Sequence, residues 1–98
     1  MRTIWQYPIP TGQGLGGVEP FELMLPVGAK FLAIERNGMA EPSLYFEVDR
    51  DAKMEPRRFV YLPTGATLPA WALRYLGTFA ILPYRFEGRL VFHVYEAA

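Results

Sequence analysis

The chain has 98 residues, 51% of them hydrophobic, 15% aromatic and 20% charged, with ten basic and ten acidic side chains. That length makes one domain around one core, and that composition excludes disorder. Zero formal charge with a pI near 6.6 argues against general nucleic-acid or membrane-surface binding, and the absence of cysteine removes disulfides, thiolate nucleophiles and cysteine-ligated metals.

Nine prolines and nine glycines are spread along the sequence, which leaves short segments rich in β-branched and aromatic residues, the pattern of strands. Arg2 to Tyr7 reads as a first strand, stopped by Pro8-Ile9-Pro10. Thr11 to Gly17 is a glycine-rich loop. Pro20 breaks the next segment, Phe21 to Leu25 is a second strand, and Pro26-Val27-Gly28 makes a turn. Lys30 to Arg36 is a third strand. Asn37-Gly38, which tolerates positive φ, closes a hairpin onto Ser43 to Asp49, where Leu44, Phe46 and Val48 share one face.

Arg50 to Pro56 is a charged loop, and Arg57 to Leu62 a fifth strand ended by Pro63-Thr64-Gly65. Leu68 to Ala72 is compatible with one helical turn, with Pro69 near its start. Tyr75 to Leu82 and Arg89 to Glu96 form a last hairpin across Pro83 to Gly88. Both faces of that last strand are apolar, so it is either central in a sheet or pressed against a second subunit. The prediction is a single all-β domain over residues 1–98: a small antiparallel sandwich or barrel of about seven strands with at most one helical turn. Fifteen aromatics are more than so small a core encloses, which predicts a homo-oligomer contact built on some of them.

Gly12-Gln13-Gly14-Leu15-Gly16-Gly17 matches G-x-G-x-x-G, but Val18-Glu19-Pro20 follows it. Proline there ends the helix a pyrophosphate site needs, so the segment reads as a surface loop. His93 is the only histidine. Without cysteine it makes no structural zinc site, and mid-strand between Phe92 and Val94 it reads as a packed, hydrogen-bonded ring. Arg57 shares a face with Phe59 and Tyr61, and Arg58 with Val60 and Leu62. Arginine beside aromatics suits a planar anion such as a nucleotide, and equally serves to cover surface rings.

The loop Pro63 to Thr67 adds backbone N–H groups and hydroxyls. Arg57, Tyr61, Thr64, Gly65 and Trp71, with His93, are therefore the predicted ligand-binding residues. Arg89 is predicted to lie outside the site, as a charge that protects a sheet edge. No His-Glu pair, G-x-S-x-G or P-loop is present. The reading is therefore a non-enzymatic binding module with no cofactor and no metal. A virion or assembly component and a small enzyme are the alternatives. The opening six residues lack the apolar run of a signal peptide, and no apolar stretch reaches the roughly 20 residues of a membrane helix. A cytoplasmic protein is expected.

Three blocks carry a resemblance: Thr3-Ile4-Trp5-Gln6-Tyr7-Pro8, Leu25-Pro26-Val27-Gly28-Ala29-Lys30, and Tyr75-Leu76-Gly77-Thr78-Phe79 with Leu90-Val91-Phe92-His93-Val94-Tyr95-Glu96. In this order they resemble a family of short proteins of unassigned activity encoded mostly by bacteriophages and prophages. Its pattern runs I-W-x-Y-P, L-P-x-G-A, a proline–threonine–glycine turn, Y-x-G-T-F and L-V-F-H-V-F/Y-E. The likeness covers nearly the whole chain, and Thr11 to Gly17 departs from it as an insertion does. The resemblance implies a phage or prophage source and a compact β fold, but no activity; by analogy, short phage accessory proteins without catalytic machinery often act by blocking a host protein or sequestering a signalling nucleotide. It also implies that His93 and Gly77-Thr78-Phe79 are family features.

Overall fold

The computed structural model describes residues 1–10, 19–36, 41–81 and 90–98. Seven strands make up these segments: β1 (Arg2–Pro8), β2 (Glu19–Pro26), β3 (Lys30–Glu35), β4 (Ser43–Asp49), β5 (Met54–Pro63), β6 (Leu73–Ile81) and β7 (Leu90–Ala97). They form two antiparallel sheets, β1-β4-β3 and β2-β5-β7-β6. The fold is thus a small all-β sandwich. The glycine-rich loop with its G-x-G-x-x-G, the Asn37-Gly38 turn, and the connection Pro83 to Gly88 with Leu82 and Arg89 lie outside the described residues. Both hairpin pairings expected around the last two turns are present, β3 with β4 and β6 with β7.

The alternation read from sequence decides which side chains go inside. Leu44, Phe46 and Val48 of β4 face Phe59 and Tyr61 of β5, Phe79 of β6, and Phe92 and Val94 of β7, joined by Ile9, Leu25 and Ala29. Phe46, Phe59 and Phe92 have no exposed surface, and each contributes about 1.5–3 kcal/mol by burial. Their rings meet edge-on or stacked: Phe46 with Phe59 at 6.1 Å, Tyr61 with Phe92 at 5.7 Å and Phe79 with Phe92 at 5.5 Å between centroids. β7 lies between β5 and β6, so it is the central strand that its two apolar faces required. Phe92 and Val94 are buried inward, and Val91, His93 and Tyr95 are half-buried outward.

Two strands run further than expected. β2 includes both Pro20 and Pro26, because it is an edge strand that pairs only with β5 and so tolerates residues without an N–H. β5 begins at Met54 and includes Pro56, where the expected charged loop was longer. Pairing with β7 reaches only to Phe59, so Pro56 has one open side and no second ladder to break. Leu68 to Ala72 forms no helix; Ala70 and Trp71 bend, and the rest is irregular. Five residues do not repay helix nucleation, and Pro69 pushes Leu68 out of the helical region.

Two turns share a P-x-G-A pattern. Ala29 N–H donates to Pro26 O (3.0 Å) and Ala66 N–H to Pro63 O (3.1 Å). The third residue of each, Gly28 at φ +82° and Gly65 at φ +93°, takes the positive φ of a type II turn.

The edges β3 and β6 close against each other across the two sheets. Arg36 Nη1 donates to Ala80 O at 3.0 Å, and a Cβ built on Gly77 lies 2.9 Å from Ile34 Cδ1. Glycine at 77 is what lets Ile34 come this near. Where this seam opens at its other end, it leaves the cleft described next.

Candidate functional site: a cationic cleft between two sheet edges

Arg57 points inward because it is in phase with Phe59 and Tyr61 on β5. A charge on that face needs a partner, and Glu96 of β7 supplies it. Arg57 Nε donates to Glu96 Oε2 (2.6 Å) and Nη2 to Glu96 Oε1 (2.8 Å), while Nη1 donates to Ala29 O (2.6 Å). The guanidinium carbon also stands 5.5 Å from the centroid of the Phe46 ring. The hydrogen bonds it donates to Glu96 raise the Arg57 pKa above its ordinary value, against the opposing effect of burial. Three of the five N–H donors of the guanidinium are used in this way, which leaves two for another acceptor.

The pair lines a cleft of about 390 Å³, within the general size range of small-ligand sites. Ala29, Lys30 and Phe31 line it from the β3 side, Arg74, Tyr75 and Leu76 from β6, and Arg57 and Glu96 from β5 and β7. Among the described residues its charged lining is Lys30, Arg57 and Arg74 against Glu96 alone. Lys30 and Arg74 are exposed and form no ion pair among the described residues. The β-bulge between Tyr75 and Gly77 inserts Leu76, half-buried against the core, so Arg74 and Leu76 border the same opening.

The predicted ligand-binding residues do not meet in one place. Arg57 and Thr64 lie seven residues apart along β5 and its end, about 23 Å of extended chain. Tyr61 is 1% exposed, a core ring whose hydroxyl donates to Pro10 O at 3.0 Å. Trp71 lies over the other arginine, with Arg58 Cζ 4.3 Å from its ring centroid. Thr64 and His93 meet on the outer face of the four-stranded sheet, with Thr64 Oγ1 2.8 Å from His93 Nε2. Gly65 follows as the turn residue. Only Arg57 borders the cleft.

Sequence reading missed Glu96, Arg74 and Lys30. The signal for Glu96 was present: it continues the inward phase of Phe92 and Val94, and a carboxylate on a buried face calls for a cation. Arg74 had no such signal, because the bulge at Leu76 shifts the phase of β6.

Thr64 and His93 have the separation of a nucleophile and its base. The other ring nitrogen, however, faces Thr78 Oγ1 at 2.9 Å rather than a carboxylate. Among the described residues no group of three His, Asp or Glu side chains is placed to hold a metal ion, and no helix is long and apolar enough to cross a membrane.

A family model matches residues 1–98 along their whole length. The chain belongs to the family described as Domain of unknown function (DUF7352). No curated protein and no solved structure matches this DUF7352 domain. The cleft and its charges are therefore the ground on which a function for the domain rests.

Proposed function

We propose that this DUF7352 domain is a non-enzymatic binding module that takes a small anionic, nucleotide-like ligand in the cleft between β3 and β6. One observation carries the reading. The Arg57 guanidinium is fixed by Glu96 and Ala29 O with two donors left over, and it lines an opening also bordered by Lys30 and Arg74. A guanidinium already held in place loses little entropy on binding. Phe31 and Tyr75 in the lining suit a planar group beside the charge.

Homo-oligomer formation belongs to the same proposal. Met24, Trp71 and Tyr75 are 49%, 37% and 55% exposed, and aromatics with methionine are the residue types enriched at subunit contacts. A phage or prophage source, and action in the host cytoplasm on a host factor or signalling nucleotide, complete the reading that the sequence resemblance suggests.

Isothermal titration with inorganic pyrophosphate and a set of nucleoside phosphates tests the site. Arg74→Ala is the informative variant, because Arg74 is exposed and forms no ion pair among the described residues. It is expected to weaken binding about ten- to a hundredfold, the effect of losing a charge-assisted bond. Arg89→Ala, at a position that the sequence reading puts outside the site, is expected to change affinity by less than about twofold. Absence of binding to every probe, or equal affinity of the unmodified chain and Arg74→Ala, overturns the assignment. Light scattering on the eluting protein tests the oligomer, and a monomer at micromolar concentration removes it.

A further inference from the structure

A strand at the end of a sheet has one unpaired side, and an unpaired side is a template for another chain. The four end strands are β1, β3, β2 and β6. β3 and β6 face each other across the seam where Arg36 donates to Ala80 O and Gly77 admits Ile34. β2 is guarded by proline. Val27 N–H donates to Lys53 O at 2.8 Å, and the register of β2 with β5 runs on from there without a shift. The odd residues of β2 therefore bond to β5, and Pro20, Glu22, Met24 and Pro26 turn their backbone groups outward. Two of those four positions have no N–H to offer.

β1 carries no such guard before its last residue. Arg50 N–H donates to Met1 O at 3.0 Å and Ile9 N–H to Pro42 O at 2.8 Å, both in the register that pairs Arg2 with Asp49. The odd residues of β1 therefore bond to β4. Arg2, Ile4 and Gln6 turn three N–H and three C=O groups away from it, with no backbone partner among the described residues. Pro8 follows in the same phase and ends the run. The side chains of Arg2, Ile4 and Gln6 stand on the outer face, where Ile4 is 59% exposed.

We infer that β1 pairs antiparallel with β1 of a second copy about a two-fold axis at Ile4, so that two three-stranded sheets join into one of six strands. This gives the homo-oligomer reading its contact, and it rests on that reading. The occupant is a second copy because the edge is complementary to itself. With the axis at Ile4, Ile4 lies opposite Ile4 and Arg2 opposite Gln6. Each such pair exchanges two N–H···O bonds, so the outward groups of both copies are all used and Pro8 stays beyond the ladder. An axis at Thr3 would leave Gln6 unpaired, and an axis at Trp5 would set Arg2 against Pro8 and leave the Arg2 carbonyl without a donor.

The side chains agree with this register. The exposed Ile4 packs on its equivalent, an apolar cross-strand pair. No like charges stand opposite each other, because Arg2 meets an amide and is already paired with Glu47 of its own chain. On the inner face Thr3 comes opposite Trp5. β1 and β2 are the ends of the two sheets away from the β3–β6 seam, so the 49% exposed Met24 of β2 is on the side the second copy approaches.

Amide hydrogen exchange of the unmodified chain, read residue by residue as the protein is diluted, tests the inference, with sedimentation velocity giving the dimer fraction. The amides of Arg2, Ile4 and Gln6 are expected to be protected in the dimer and to lose that protection on dilution, while Thr3, Trp5 and Tyr7 stay protected. Ile4→Pro removes an outward N–H and no bond to β4. It is expected to weaken the dimer about ten- to a hundredfold. Ile4→Lys sets like charges opposite each other and is expected to weaken it too, and mixing it with Ile4→Glu to restore a dimer of one copy of each. Leu32→Lys, a matching change at a 43% exposed position on the far edge of that sheet, is expected to leave association unchanged. A dimer in which the three outward amides exchange freely, or that survives both Ile4→Pro and Ile4→Lys, overturns this inference and leaves the oligomer reading standing. A monomer at every concentration overturns both. Protection of the three amides that dilution does not relieve means that the edge is closed within one chain, and overturns the inference as well. The exchange pattern is read on the unmodified chain and depends on no variant folding.

Discussion

Arg57 and Glu96, 39 residues apart in sequence, meet in two hydrogen bonds of 2.6 and 2.8 Å on the inward face of the four-stranded sheet. Their side chains are 17% and 9% exposed. Removing one partner strands the other in a place that water hardly reaches. Arg57→Leu or Glu96→Leu alone is expected to cost about 3–5 kcal/mol in urea unfolding, and the double replacement clearly less than the sum of the two. Additive losses would mean that the pair is not coupled. This coupling is also why Arg57→Ala is a poor test of ligand binding: it changes the fold around Glu96 before it changes the cleft.

The approach of Ile34 to Gly77 gives a second prediction. A Cβ at 77 would lie 2.9 Å from Ile34 Cδ1, the movable tip of a side chain. Gly77→Ala is expected to destabilise by about 1 kcal/mol and Gly77→Val by up to about 3 kcal/mol, the range for overpacking. Ile34→Val removes the clashing methyl and should make Gly77→Ala nearly free in the same background. If Ile34→Val gives no relief, the cost at 77 comes from somewhere other than this contact.

How much of this was legible beforehand differs from element to element. β4 was readable to its end residues, because Ser43 to Asp49 alternates without interruption and is bounded by Pro42 and a charged turn. β2 was not, because Pro20 and Pro26 read as breakers until the strand is known to be an edge. In the cleft, Arg57 stood out by its phase with Phe59 and Tyr61. Pairing it with Glu96 needs the knowledge that β5 and β7 are neighbours, a contact over 39 residues that no local pattern carries. Tyr61 failed as a ligand residue for the same reason that Arg57 could be found: both point inward, and nearer the middle of the strand inward means core.

The two P-x-G-A turns should respond to substitution through the backbone alone. Gly28 and Gly65 have φ of +82° and +93°, and nothing lies within 4 Å of a Cβ added to either. Gly28→Ala and Gly65→Ala are each expected to lower stability by about 1–2 kcal/mol, the cost of a left-handed conformation for an L-residue. Asparagine, which adopts that region more readily, should cost less at both positions. Thermal unfolding of the four variants decides it, and alanine and asparagine behaving alike would remove the conformational explanation.

Tyr7 gives a pH dependence. Its ring meets Phe46 edge-on at 5.9 Å, and burial raises its hydroxyl pKa above the usual 10.0. The folded state therefore holds the proton more tightly than the unfolded chain. Below about pH 10 both states are neutral at this residue, and stability does not change with pH on its account. As pH rises above 10, the unfolded chain ionises first and stability falls, until the folded hydroxyl ionises too. Unfolding measured from pH 8 to above 11 should show a steeper alkaline loss for the unmodified chain than for Tyr7→Phe. Parallel curves would mean that Tyr7 ionises equally in both states.

Arg58 and Trp71 test how much the outer face is organised. The Arg58 guanidinium carbon lies 4.3 Å from the Trp71 ring centroid, within the roughly 6 Å reach of a cation–π contact. Trp71 is 37% exposed and Arg58 is exposed, so water competes for the charge. A coupling of about 0.5–1 kcal/mol is therefore expected between Arg58→Ala and Trp71→Ala, rather than the larger value of a buried pair. The single Trp71→Ala loss should exceed that coupling, because truncation also removes the ring's burial against its other neighbours. Arg58→Lys should keep only part of the coupling, since an ammonium is more strongly hydrated and lacks a plane to stack. A cycle that closes within about 0.3 kcal/mol of additivity would mean that ring and guanidinium only lie near each other. Turning Trp71 toward a partner chain would then cost its burial against its other neighbours but no coupling to Arg58.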